Sequence, residues 1–266
     1  MGLFLWGYQM KDITHELPSH YNQARIYILS DLHLGSAHHD KQTREQFFEE
    51  VQAEENRYLI VNGDIINNAI KHSKSDIYSE TINPDEAVSK TVELLEPVKD
   101  KILVIIDGNH EDRTYRESGI SIMKFVAMQL WIEDLYAEPA YKLFVSLGKN
   151  QGRDCRKTCY AIYGKHGNGG ARTEGGKMNY LSRMSHTTDA DVYVHSHTHI
   201  PAAFRKSYFM SDYRNKKSTK KDRLFVNSNA FMLFGGYGEK KGYAPSSTQY
   251  PYIVLEGEHR LARAMI

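Results

Sequence analysis

Cysteine is nearly missing: Cys155 and Cys159 are the two in 266 residues. So few thiols exclude a disulfide scaffold and suit a reducing compartment, so a cytoplasmic setting is expected. Long apolar runs are also missing. Ile102 to Ile106 is among the longest, far short of the ~20 residues that span a bilayer, and no membrane partner is expected. The opening stretch Met1 to Met10 lacks the basic start and small-residue cleavage site of a secretory signal. Charge of one sign is absent as well. The net charge of +1 argues against a generally basic or acidic partner surface. No repeat or low-complexity tract interrupts the chain. Apolar residues at 41% and charged residues at 25% are globular proportions, which exclude disordered, collagenous and coiled-coil chains. The length suits one large domain, 1–266, with residues 200–266 as an extension of it.

What the chain does have is histidine, 13 in all, three of them alternating in His195-Ser196-His197-Thr198-His199. The surrounding pattern alternates short apolar runs with helical ones. Arg25 to Ser30, Tyr58 to Asn62 and Ile102 to Ile106 read as buried strands. Lys41 to Ala53, Pro84 to Val98 (capped by Asn83) and Ser118 to Leu135 read as helices. This predicts an α/β fold with parallel strands covered on both faces. The second half is strand-rich: Tyr141 to Leu147, Cys159 to Tyr163, Val192 to Val194, Ala202 to Met210, Leu224 to Val226 and Tyr252 to Leu255. Only Lys177 to Thr187 reads as a helix among them, so a second sheet stacked on the first is expected. Ser211 to Asp222 reads as a basic loop and Gly235 to Gly242 as a glycine-rich one.

In open α/β sheets, functional groups gather beyond the carboxyl ends of strands. Here five strands run into metal-ligand residue types. The ends are Asp31-Leu32-His33, Gly63-Asp64, Gly108-Asn109-His110-Glu111, His166, and His197-Thr198-His199. Each alone is weak, since an isolated Asp is usually a cap or turn former and an isolated His a surface or core residue. Together and in this order they are specific.

The pattern D-x-H, G-D, G-N-H-[DE], H and G-H-x-H resembles the calcineurin-like metallophosphoesterases, over residues 31 to 199. The resemblance implies two stacked mixed β-sheets flanked by helices, an α/β sandwich with a two-metal site at the sheet edges. It implies that Asp31, His33 and His199 hold one metal and that Asn109, His166 and His197 hold the other, with Asp64 bridging. It also implies that His110 contacts the phosphate and protonates the leaving oxygen. A metal pair neutralises an anionic ester and makes hydroxide from water near neutral pH. Mixed nitrogen and oxygen ligands suit two divalent ions, Mn first, with Fe, Zn or Ni as alternatives. The amide of Asn109 would leave its metal a stronger Lewis acid than a carboxylate would. Two departures stand out. Ser196 replaces the glycine before the last motif, and Asn67 stands where many relatives carry an acid.

Arg172 and Arg113 are candidates to grip a substrate phosphate. The basic Ser211 to Asp222 segment lies beside Tyr208, Phe209 and Tyr213. Basic charge with aromatics suits single-stranded nucleic acid, against the plainer reading of a solvated hairpin. The Asp-Arg-Gly signature of protein serine/threonine phosphatases is absent. The expected activity is therefore a metal-dependent phosphoesterase acting on a phosphodiester, nucleic acid or nucleotide, rather than a monoester. The competing expectation is a metal-binding or nucleic-acid-binding module of the same fold with little turnover.

Overall fold

A computed structural model describes residues 10–73, 75, 77–152, 156–235, 239, 245 and 247–266. Of the sequence readings above, the Met1 to Met10 stretch (but for Met10), Cys155 and most of the Gly235 to Gly242 loop lie outside these residues.

Among the described residues, twelve strands form two six-stranded mixed sheets. The first contains β1 (Lys11–Glu16), β6 (Ala140–Leu147), β7 (Thr158–Lys165), β8 (Val192–His195), β9 (Ala202–Asp212) and β10 (Lys217–Asn227), ordered β1-β6-β7-β8-β10-β9. The second contains β2 (Gln23–Leu29), β3 (Arg57–Asn62), β4 (Ile102–Ile106), β5 (Tyr136–Ala137), β11 (Tyr252–Glu256) and β12 (Ala262–Met265), ordered β12-β11-β2-β3-β4-β5. The strands after residue 200 are thus divided between the sheets.

Apolar side chains explain the layering. Ile26, Ile28, Ile60, Val104 and Ile106 face Leu143, Val145, Ile162, Val192 and Val194 between the sheets. The outer face of the second sheet buries Tyr27, Leu59, Val61 and Ile105 against Phe47 of α1 (Lys41–Gln52), Leu95 of α2 (Pro84–Leu95) and Val126 of α4 (Ile122–Gln129). The outer face of the first sheet buries Tyr163, Tyr193 and Phe225 against Leu181 of α5 (Glu174–Arg183). Strands packed on both faces read as continuous apolar runs, which is why β2, β3 and β4 were legible.

Helix boundaries follow local chemistry. Asp40 caps α1 by accepting from Thr43 N, and Asn83 caps α2 by accepting from Glu86 N. The predicted Ser118 to Leu135 helix instead shortens to Ile122–Gln129, and a helix that was not predicted precedes it. Helix α3 (Glu111–Ser118) starts immediately after His110 and stops at Gly119, whose φ of 75° suits glycine. Helix α4 then begins afresh at Ile122. The Ser211 to Asp222 segment is likewise not a loop. It is the distal half of a β9–β10 ribbon, paired from Lys217↔Asp212 to Asn227↔Ala202. Alternation there was hidden because Lys, Ser and Thr occupy both faces.

Candidate metal centre

Strands β2, β3 and β4 run parallel, as do β7, β8 and β10. Their carboxyl ends therefore meet at one edge of the sandwich, and the loops leaving them carry every predicted ligand. Turning sharply there is costly. Asp31, His33, Asp64, Asn68, His197 and His199 all have φ between 46° and 66°. Left-handed backbone costs non-glycine residues roughly 1–3 kcal/mol each, and such strain gathers at functional sites. Gly63 and Gly108 allow the two central loops to touch. A Cβ on Gly108 would lie 2.2 Å from Asp64 Oδ1 and one on Gly63 2.5 Å from Gly108 N.

The ligand types fall into three overlapping groups: Asp31, His33 and His199; His33, Asp64 and His110; Asp64, His166 and His197. Asp31 Oδ1 is 3.0 Å from His199 Nε2 and 4.0 Å from His33 Nε2. His33 Nε2 is 3.4 Å from His199 Nε2. Asp64 Oδ2 is 3.1 Å from His166 Nε2 and 3.9 Å from His110 Nε2. Asn109 Oδ1 lies 3.2 Å from His166 Nε2. Asp64 therefore stands between two sets of donors.

Backbone carbonyls orient the rings. His166 Nδ1 donates to Asn62 O at 2.7 Å, His197 Nε2 to Gly169 O at 3.1 Å, and His110 Nδ1 to Asn67 O at 2.6 Å. Each ring's other nitrogen stays available to the site, an arrangement that fixes the tautomer of a ligating histidine. The Asn67 departure is thus met by main chain: its carbonyl, rather than a side-chain acid, holds His110.

Electrostatics favour cations. Asp31 and Asp64 are buried, and among the described residues no Lys or Arg lies within 4.0 Å of either. Burial alone would push both carboxyls up. His199 and His166 hold Asp31 below its usual range, and His166 and His110 do the same for Asp64. Burial opposes charge on His166, yet Asp64 and Asp31 push it up to about 10. Burial and the Asp64 and Asp107 charges push Glu111 up to about 8. Asp31 Oδ1, His33 Nδ1 and His197 Nδ1 are buried with no hydrogen-bond partner. Orphaned ligand atoms, mixed nitrogen and oxygen ligands and two buried carboxylates facing histidines rather than Lys or Arg fit divalent metal ions.

Several supporting residues carried no sequence assignment. Glu111 accepts from Asp64 N (2.9 Å), Ile66 N (3.0 Å) and Gly108 N (2.8 Å), tying the second and third motif loops together. Asn227 accepts from His195 Nδ1 at 2.8 Å and donates to Thr198 Oγ1 and Ile200 O, spanning the histidine triplet. Asn62 Nδ2 donates to Ser196 Oγ at 2.6 Å, so the serine that replaces glycine supplies a buried acceptor. Asn62 and Asn227 each end an apolar strand (YLIVN, LFVN), and that abrupt amide was the available signal.

The arginines differ. Arg172 is exposed just before the α5 cap, Thr173. Arg113 turns Nη1 to Asn67 O (3.0 Å), Asn68 O (3.2 Å) and Ser75 Oγ (3.0 Å), which ties it to the loop after Asp64.

A family model described as calcineurin-like phosphoesterase matches residues 24–201, about two thirds of the chain. Among solved structures, a metallophosphoesterase from Sphaerobacter thermophilus is similar at 14% identity and a TM-score of 0.39, covering 87% of this chain and 83% of its own. Vacuolar protein sorting 29 from Cryptosporidium parvum is similar at 13% identity and a TM-score of 0.42, covering 92% of this chain and 97% of its own. No curated protein matches the sequence. Among the described residues, no helix is long and apolar enough to cross a membrane.

Proposed function

The chain belongs to the calcineurin-like phosphoesterases, and on that premise we propose that it hydrolyses a phosphodiester, of a nucleic acid or nucleotide, at a dinuclear metal site. The convergence of seven ligand-type residues and His110 at one strained sheet edge carries this reading. Asp31, His33 and His199 would hold one ion, Asn109, His166 and His197 the other, and Asp64 both. Mn is the proposed metal. Bound divalent ions supply charge neutralisation of the phosphate and lower the pKa of water toward neutrality.

The chain's own groups do the rest. His110 keeps its Nδ1 proton on Asn67 O, so Nε2 is the atom that faces the ester. Burial holds His110 below its usual range, against the pull of Asp64. An arriving phosphate adds negative charge beside the ring and favours its protonated form. Nε2 then delivers a proton to the leaving oxygen, worth roughly 10²–10⁴ in rate. Arg172 and Arg113 are the proposed phosphate contacts, in which a guanidinium pairs two N–H groups with two oxygens. Main-chain carbonyls hold His110, His166 and His197 before substrate arrives, so little reorganisation is needed. The chain is read as one working unit, since β9 to β12 complete both sheets, and the scarcity of cysteine suits a cytoplasmic setting.

The test strips the protein of metal, restores Mn²⁺, and compares bis(p-nitrophenyl) phosphate with p-nitrophenyl phosphate. Metal-dependent turnover favouring the diester, and lost in His110→Ala, is expected. Preference for the monoester would overturn the diester assignment. No turnover of either ester with two ions bound would overturn the catalytic reading in favour of a binding module.

A further inference from the structure

The β9–β10 ribbon outruns the sheet that holds it. Strand β10 pairs with β8 only from Leu224↔Val192 to Asn227↔His195. Beyond that point, Lys206–Asp212 and Lys217–Arg223 pair with each other and, among the described residues, have no third strand. The ribbon's base is anchored. Arg223 is buried against Asp189 and Asp191, and Lys206 Nζ and Tyr208 OH reach Ser182 and Ser185 beside α5. Its outer half is not anchored. Tyr213 to Asp222 are all exposed.

Charge gathers on that outer half. Arg214, Lys216, Lys217, Lys220 and Lys221 fall within eight residues without an acid among them, in a chain whose net charge is +1. Among the described residues none of the five makes an ion pair. Aromatic surface accompanies them. Phe209 is 77% exposed and stands directly across the ribbon from Lys220, and Tyr213 at the turn is 89% exposed. Leaving a large ring that far in water costs apolar burial, and a partner surface would recover it.

We propose that this ribbon is a docking arm for single-stranded nucleic acid. Unpaired lysines along a strand match the spaced charges of a phosphate backbone, and exposed rings match the faces of unstacked bases. An acidic protein would satisfy the lysines but not the isolated rings. A duplex hides its base faces and would leave Phe209 and Tyr213 unused. Strand β9 begins at Ala202, three residues after His199, and runs 11 residues away from the metal centre. At ~3.3 Å per residue the turn lies roughly 35 Å from the site. One strand could touch both with on the order of ten nucleotides, at ~3.4 Å each. The use of the arm to deliver substrate rests on the phosphodiesterase reading above, whereas binding by the arm does not.

The test is fluorescence anisotropy with fluorescein-labelled dT20 in EDTA, from 50 to 200 mM KCl. Wild type is expected to bind with a steep salt dependence. Lys220→Ala, on the face shared with Phe209, should lower the log–log salt slope by about 0.7, and Lys217→Ala/Lys220→Ala/Lys221→Ala, which removes lysines from both faces, by up to about 2, at ~0.7 per lost phosphate contact. Phe209→Ala should weaken binding roughly 5- to 150-fold with the slope unchanged, the range for one base stack. Arg214→Ala/Lys216→Ala, at the turn and outside the strand pairing, repeats the charge test without touching the ribbon ladder. No binding at 50 mM, or variants that bind as wild type, would overturn the proposal. Displacement of the label as readily by polyglutamate or a 20-base-pair duplex as by unlabelled dT20 would overturn it in favour of an acidic-protein dock or a general polyanion surface. Because EDTA removes turnover, binding without diester hydrolysis would fault only the site reading. Hydrolysis without dT20 binding would fault only the arm.

Discussion

Strands β9 and β10 end in opposite environments. At the metal edge, Asn227, Ser228, His195 and Ser196 are buried, and each has a hydrogen-bonded partner. At the far end, four lysines and two aromatics stand in solvent. The first end needs fixed geometry, because buried polar groups without partners cost about 1–3 kcal/mol each. The second needs only reach and charge. One pair of strands can serve both because a sheet is stiff where a third strand supports it and accessible where none does.

This contrast predicts a gradient of mutational effects. The largest lies at its buried centre. Asp64→Asn removes the charge shared by two ligand groups. It is expected to abolish diester turnover and to lower the bound metal from two ions per chain to one or none, read by elemental analysis. Two ions retained at full occupancy would contradict a bridging role.

Asn227→Ala comes next. It strands His195 Nδ1, Thr198 Oγ1 and Ile200 O in the interior. A loss of about 2–4 kcal/mol is expected, together with 10- to 100-fold weaker metal binding, as loss of an outer hydrogen bond commonly produces. Calorimetric melting and a metal titration check the two effects separately. A melt matching wild type would mean that water replaces the amide.

A smaller effect appears with pH in metal-free protein. Glu111 and His166 have folded values of about 8 and about 10. Both exceed the unfolded values of ~4.3 and ~6.5. Each therefore favours the native state fully below its unfolded value, and that contribution is lost as pH rises through the folded one. Melting temperature in EDTA should fall from pH 7 to pH 9, above the range in which the lowered His33, His110, His195 and His197 give the opposite slope, and Glu111→Gln should flatten the part below pH 8. A melting temperature that climbs over this interval would refute both assignments.

The smallest effect belongs to the outer ribbon. Lys220→Ala should alter stability by no more than about 0.5 kcal/mol, since the side chain is exposed and unpaired. A larger loss would mean that the ribbon is packed in solution, which would erase the contrast.

Much of the edge was legible beforehand. Five apolar runs each stop at Asp, Asn or His, and a parallel sheet must bring such ends together. The supports were not legible. Glu111 sits within a recognisable motif, yet its three amide contacts depend on Gly63 and Gly108 approaching from strands 40 residues apart. The ribbon was misread as a loop because alternation of polar with polar leaves no hydrophobic period. The break between α3 and α4 was missed because Gly119 is a stop only when its backbone turns left-handed.

By itself the sequence determined the layer order, the strand ends and the identity of the ligand-type side chains, because burial on two faces and residue chemistry are local properties. Only the tertiary structure decided which nitrogen of each histidine faces the site, that a main-chain carbonyl holds His110, and that the lysines stand on an unsupported ribbon. Those outcomes depend on contacts between segments far apart in the chain, where hydrogen-bond geometry and packing, rather than residue type, select the arrangement.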